Sequence, residues 1–199
     1  MIVVNFKDYK TGENAVELAK KIQKYLPRAI VCVGFNDADK IRRTKLSVFT
    51  QYLGSNKAEN LKKLGVQGTL LNHSEHRIKF GEIRKKLVEC KKIRFKVIAC
   101  AGSFLEAKKI KKLSPWAIAY EDPKLIGTGK SITKYNGYEV RKFAKMLKGS
   151  KIISLCGAGI GDLDDVLEAK RLGCRGVLIS SAIAKDKKPE RFLRGLKRV

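Results

Sequence analysis

Short, nearly continuous apolar runs recur along the chain, beginning near Ile2, Ala29, Leu46, Gln67, Phe95, Trp116, Lys151 and Arg175. Each is about five residues long, the length of a strand, and the lack of polar alternation predicts burial on both faces, as in a parallel sheet. Between most of these runs the pattern changes to a helical period. From Glu13 to Tyr25, the apolar Ala15, Leu18, Ala19 and Ile22 follow the i, i+3, i+4, i+7 spacing, and Lys20, Lys21 and Lys24 lie largely off that stripe. Successive strand onsets average about 25 residues apart, which fits one strand and one helix and leaves no room for a second domain. Eight such units in 199 residues predict an α/β chain folded as a single compact (β/α)8 barrel over residues 1–199. That length is at the lower edge, roughly 200 residues, for the architecture. An open doubly wound sheet is the alternative.

Composition changes this picture in one respect. Lys and Arg number 44 against 19 Asp and Glu, a net charge of +25, and such an excess raises the question of nucleic acid. Basic clusters such as Lys20-Lys21, Lys62-Lys63, Lys91-Lys92 and Lys111-Lys112 fall on polar faces along the whole chain, without interleaved aromatics. That pattern predicts solvated helix surfaces, and nucleic acid is not an expected partner. No run approaches the roughly 18 apolar residues of a membrane span, so no membrane association is expected. Met1 leads straight into Ile2-Val3-Val4 with no basic leader or apolar export segment, which predicts a cytoplasmic protein. Cys32, Cys90, Cys100, Cys156 and Cys174 are odd in number, widely spaced and form no CxxC pair, so reduced, buried thiols are expected and a zinc site is not.

In a barrel of this kind the reactive groups stand just after the C-terminal ends of the strands. The first strand ends in Asn5-Phe6-Lys7, whose period-two spacing points Asn5 and Lys7 into the barrel mouth. The fourth runs into Asn72-His73-Ser74-Glu75-His76-Arg77, which holds both histidines of the chain. A histidine at a strand-to-helix junction is kept neutral by the helix N-terminus and suits hydrogen-bond donation to a carbonyl. The sixth strand delivers Glu121, followed by Asp122-Pro123-Lys124-Leu125-Ile126-Gly127-Thr128-Gly129-Lys130 in the longest interval, a carboxylate base beside a glycine-rich loop. After strands seven and eight come Gly157-Ala158-Gly159 and Ser180-Ser181, small residues whose backbone N–H groups can approach an anion.

In this order, at four different strand ends, the motifs resemble the triosephosphate isomerase family. Asn72–Arg77 and Leu125–Gly129 resemble its archaeal branch. The resemblance spans nearly the whole chain and implies a TIM barrel that interconverts dihydroxyacetone phosphate and D-glyceraldehyde 3-phosphate through an enediolate. It implies no metal and no organic cofactor. By the same resemblance Glu121 is the catalytic base, His73 the neutral electrophile, Lys7 the electrostatic partner with Asn5 beside it, and Glu75 the acid supporting the lysine. Ile126 and Gly127 match the lid, and Gly157, Gly159, Ser180 and Ser181 match the turns that bind phosphate. The chain departs from the family in two places. Gln51–Asn56 is short where the family has a long loop for a neighbouring subunit, which with the +25 surface favours a monomer, and Asp122 replaces the usual proline after the base. The alternatives are a barrel acting on another phosphosugar and a nucleic-acid-binding barrel with vestigial catalysis.

Overall fold

A computed structural model describes residues 1–54 and 57–198. The segment after the third strand is therefore seen only through Gly54, and Ser55 and Asn56, on which part of the short-loop reading rests, lie outside the described residues. The first half of the fold comprises β1 (Ile2–Asn5), α1 (Gly12–Tyr25), β2 (Ile30–Val33), α2 (Phe35–Arg42), β3 (Ser47–Thr50), α3 (Ala58–Lys63), β4 (Gly68–Leu71) and α4 (Phe80–Lys92). The second comprises β5 (Lys96–Ala101), α5 (Phe104–Lys111), β6 (Ala117–Glu121), α6 (Ile132–Tyr135), α7 (Gly137–Leu147), β7 (Ile153–Gly157), α8 (Leu163–Arg171), β8 (Gly176–Ile179), α9 (Ser181–Ala184) and α10 (Glu190–Leu196).

All eight strands are parallel and pair in chain order, with β1 closing on β8 through Val3 opposite Leu178. Closure removes the sheet edges, so the open doubly wound alternative is excluded. Strand starts fall within two residues of the onsets that the apolar runs mark. In α1 the buried residues are Ala15, Leu18, Ala19 and Ile22, the four the helical period selects.

Strand alternation sorts the core into two layers. Val3, Ile30, Cys32, Phe49, Leu70, Ile98, Ala117, Ala119 and Leu178 belong to one apolar cluster, which fills the barrel. Their chain neighbours Val4, Val31, Leu71 and Ile118 belong to a second cluster together with the buried faces of the helices. Both faces of each strand are thus covered, which is why the runs carry no polar alternation. The same alternation fixes the site: Asn5 continues the inward set of Val3, and Glu121 continues that of Ala117 and Ala119.

Candidate active site

Asn5 and Lys7 both reach the barrel mouth, Asn5 by strand alternation and Lys7 by another route. Asn5 ends β1 and is fully buried, but Lys7 opens a 3-10 turn, Lys7–Tyr9, with φ 49°. What fixes this turn is the Asn5 side chain, whose Oδ1 accepts the Lys7 backbone N–H at 3.1 Å. The Lys7 side chain is nevertheless 10% exposed, and its Nζ lies 3.1 Å from Glu75 Oε1.

His73 follows β4 across Asn72, which sits at φ 60°. Asn72 is clamped: its Nδ2 donates to the Cys100 carbonyl at 2.9 Å and to Glu106 Oε1 at 2.8 Å, and its Oδ1 accepts the Ile78 N–H at 3.2 Å. Arg77 Nη2 donates to the same Glu106 oxygen at 2.6 Å. Burial raises the Glu106 carboxyl, but Arg77, the Gly102 N–H and Asn72 outweigh it and hold it below its ordinary range. The turn carrying His73 is therefore anchored to β5 and α5.

The helix-terminus expectation for His73 is corrected. α4 begins at Phe80, and His73 instead opens a tight turn in which the His76 N–H donates to its carbonyl at 2.8 Å. Its pKa is lowered first by burial, then by the nearby Lys7 and His76, with Glu121 acting in the opposite sense. The Glu75 backbone N–H donates to His73 Nδ1 at 3.4 Å. A backbone amide can only donate and a carboxylate oxygen faces the other nitrogen, so the tautomer that suits both neighbours carries its proton on Nε2. That nitrogen lies 3.6 Å from Glu121 Oε2 and 3.4 Å from Asn5 Nδ2, the latter a contact between two donors rather than a bond.

Glu121 is the last residue of β6, its side chain 12% exposed, and its Oε2 is buried with no hydrogen-bond partner. Cys32 and Cys100 lie close enough to feel its charge. Burial first and Glu121 second push both thiols far up, so they stand as inert protonated groups. Gly157 ends β7 in register with Glu121, and a Cβ there would stand 3.4 Å from Glu121 Cγ and 2.9 Å from the Leu178 carbonyl.

The loop after Glu121 begins with a 3-10 turn, Pro123–Leu125, capped by Asp122, whose Oδ1 accepts the Lys124 N–H at 3.0 Å and whose Oδ2 accepts from Asn136 Nδ2 at 2.9 Å. Asp122 has φ −68°, a value a proline ring would also impose, and its two hydrogen bonds hold the turn in place. The loop returns over Gly159, at φ 69°, where a Cβ would stand 2.0 Å from the Lys130 carbonyl oxygen. No side chain fits there, and the Ile132 N–H donates to the Ala158 carbonyl at 3.0 Å to seat the returning chain.

These segments enclose a cleft of about 380 Å³. Asn5, Lys7, His73, Glu121, Ile126, Gly127, Gly159, Ser180 and Ser181 line it. Gly157 does not. It lies behind Glu121 in the barrel wall and makes room for that side chain, while Glu75 acts from outside through Lys7. Ser180 Oγ is buried without a partner, as Glu121 Oε2 is. The cleft also takes in Gly129 and Ala158 of the two loops marked by the sequence, and Tyr9, Gly161 and Lys185, which sequence reasoning missed. Lys185 Nζ stands 4.3 Å from the Tyr9 ring centre and Lys7 Nζ 5.8 Å from it, so one ring serves two cations. Lys185 lies one helical turn beyond Ser181, a signal hidden among 44 basic residues. Among the described residues no group of three or more His, Cys, Asp or Glu could hold a metal ion.

One half of the cleft thus carries an unpaired carboxylate oxygen, a neutral imidazole N–H and an ammonium. The other carries small residues, two serines and Lys185, the makings of an anion cradle.

A family model described as triosephosphate isomerase matches residues 1–196. The chain is 35% identical to the triosephosphate isomerase of Methanobrevibacter smithii, covering 97% of this chain and 95% of that protein. It is 33% identical to that of Methanocaldococcus jannaschii, covering 98% of each. Among solved structures, the Pyrococcus furiosus thiamine phosphate pyrophosphorylase superposes with a TM-score of 0.68 at 14% identity, covering 99% of this chain and 93% of that one. The Amycolatopsis orientalis BexX/CysO complex superposes with a TM-score of 0.69, also at 14% identity, covering 99% and 86%. Those two likenesses concern the fold alone.

Proposed function

The chain belongs to the triosephosphate isomerase family, and from that premise we propose how its own residues carry the reaction. It is an isomerase, interconverting dihydroxyacetone phosphate and D-glyceraldehyde 3-phosphate. Glu121 takes a proton from the substrate carbon next to the carbonyl and returns it to the neighbouring carbon. His73 donates its Nε2–H to the oxygen on which charge develops, and the Lys7 ammonium stabilises that charge. Glu75 keeps Lys7 extended, and Asn5 holds the turn that aims it. The observation that carries this reading is the buried, unpartnered Glu121 oxygen 3.6 Å from a neutral imidazole.

Gly159, Ser180 and Ser181 hold the phosphate, Ile126 and Gly127 close over it, and Gly157 supports by leaving space for the base. Binding energy from the phosphate closes the loop and excludes water from the enediolate. We place Lys185 beside this cradle as a further cation facing the phosphate. The test is a coupled assay of glyceraldehyde 3-phosphate isomerisation on the chain and on Glu121→Gln, both made in a host without its own isomerase. The expected loss is about 10² to 10⁴ in kcat. Equal rates in the two proteins would remove Glu121 from the role.

Residues 1–199 act as one domain, supported by barrel elements running from Ile2 to Leu196. The chain works in the cytoplasm, a reading supported by five free cysteines, all buried. No helix among the described residues is long and apolar enough to cross a membrane. The chain acts as a monomer, because a +25 surface opposes self-association, and a dimer mass by light scattering would overturn this.

A further inference from the structure

The barrel helices carry acids in their first turns and bases in their last: Glu13 and Lys24 in α1, Glu82 and Lys91 in α4, Asp164 and Arg171 in α8. In any one helix this merely complements the dipole. In a closed parallel barrel, however, every such helix runs opposite to the strands, so their basic ends gather at the face where the strands begin. The turns there add to it. Segments 26–29, 43–46, 93–95, 112–116, 148–152 and 172–175 each hold at least one Lys or Arg, and none holds Asp or Glu. Cations scattered through the sequence become one basic face, at the opposite end of the barrel from Glu121.

A pocket of about 200 Å³ opens in this face, between the N-terminal ends of β5 and β6. Lys91, Arg94, Lys96 and Trp116 line it with Ser114, and no carboxylate does. The three cations are exposed. Lys91 Nζ is fixed, donating to the Leu113 carbonyl at 2.6 Å. Lys96 Nζ stands over the Trp116 ring, 5.1 Å from its centre. Trp116 is half-buried and tilted at 45° against Phe49 of the barrel core, with 5.8 Å between ring centres. The indole is therefore held from inside and offers surface to the pocket.

We propose that this face binds single-stranded nucleic acid, with one base in the pocket against Trp116 and the neighbouring phosphates on Arg94 and Lys96. An aromatic face accepts any base by stacking, and the surrounding cations match the backbone. Lys96 reaches a phosphate by moving its flexible stem off the ring, where the incoming base replaces the cation–π contact. The basic face extends well beyond one pocket, which suits a strand rather than a lone nucleotide.

Trp116 is the only tryptophan of the chain, so its fluorescence reports on the pocket directly. The experiment is a fluorescence titration with an oligouridylate of about 12 nucleotides, repeated across a range of salt concentrations. Saturable quenching is expected, and with Arg94 and Lys96 both on phosphates the log–log salt dependence should have a slope of about −1.4 or steeper. The double reversal Arg94→Glu, Lys96→Glu should weaken binding by about tenfold or more while leaving isomerase activity and the circular dichroism spectrum unchanged. No quenching, or quenching untouched by the double reversal, overturns the proposal. So does uridine monophosphate acting at the same concentration as the strand, which makes the pocket a mononucleotide site. Equal quenching by heparin overturns it too, because charge alone would then account for binding.

Discussion

Among the described residues, six non-glycine positions have positive φ, and they divide evenly between the two ends of the barrel. Lys45, Arg94 and Ser114 lie where the strands begin. Their N–H groups donate to Arg42, Lys91 and Lys111 carbonyls at 3.1, 3.0 and 2.9 Å, closing off α2, α4 and α5. Lys7, Asn72 and Ala158 lie where the strands end, and there the same conformation serves the cleft. Lys7 and Ala158 line it, and Asn72 turns the chain into His73. One backbone state thus ends a helix in one place and shapes the cleft in the other. The difference lies in the surroundings. At the strand starts the polar groups are exposed and agree with the helix dipoles. At the strand ends they are buried, and Glu121 Oε2 and Ser180 Oγ have no partner within the protein, which leaves both to a group in the cleft.

If that contrast is right, a change at the strand ends costs activity out of proportion to stability. The largest expected effect is Glu121→Gln, which loses about 10² to 10⁴ in kcat. Its thermal midpoint stays the same or rises, because a buried carboxylate gives way to a neutral amide. A marked fall in that midpoint would mean that Glu121 is structural, and would break the comparison.

Next comes Gly159→Ala, which forces a Cβ into the space 2.0 Å from the Lys130 oxygen at a φ of 69°. It should destabilise the chain by about 1–3 kcal/mol and raise KM more than it lowers kcat, because the displaced segment carries the loop. Urea unfolding and steady-state kinetics check both. Asp122→Ala, which removes the cap and the tie to Asn136, should cost about 1 kcal/mol and raise KM modestly.

The pH response is smaller. The folded pKa of His73 lies below its ordinary 6.5, so the unfolded chain binds this proton more readily than the folded one. Stability from this group is therefore fully present above pH 6.5 and declines as pH falls from there through the depressed folded value. The kcat/KM profile should hold through neutrality and lose its His73-dependent part only below pH 6.5. A loss already complete at neutral pH would contradict a buried, neutral ring. Smallest of all is Lys151→Gln, in the last helix-to-strand turn before β7, which should change stability by less than about 0.5 kcal/mol and leave kcat untouched.

Most of the barrel is legible in the chain because a strand covered on both faces leaves an unbroken apolar run and a covered helix leaves a period. Asn5 follows from the period-two reading, whereas Glu121 shares the parity of Ala117 and Ala119, whose inward facing only the packed barrel reveals. Lys7 escapes that reading, because the Asn5 side chain bends the backbone into a turn that no propensity announces. His73 is neutral as expected but for another reason, burial in place of a helix end, and burial depends on neighbours from distant elements. Glu106, which anchors Asn72 from 34 residues away, leaves no local trace.

By itself the sequence determined the eight strand–helix units and the positions of Glu121, Gly159, Ser180 and Ser181 just at the strand ends, because each follows from local period and from where the apolar runs stop. Only the tertiary structure decided the turn at Lys7, the pairing of Glu75 with it and the place of Gly157 behind the base. It alone set Trp116, ahead of β6, against Lys91, Arg94 and Lys96 from the end of α4 and the start of β5. A closed barrel sends every helix the same way, so charges chosen one helix at a time add up on one face, and no segment of the chain contains that sum.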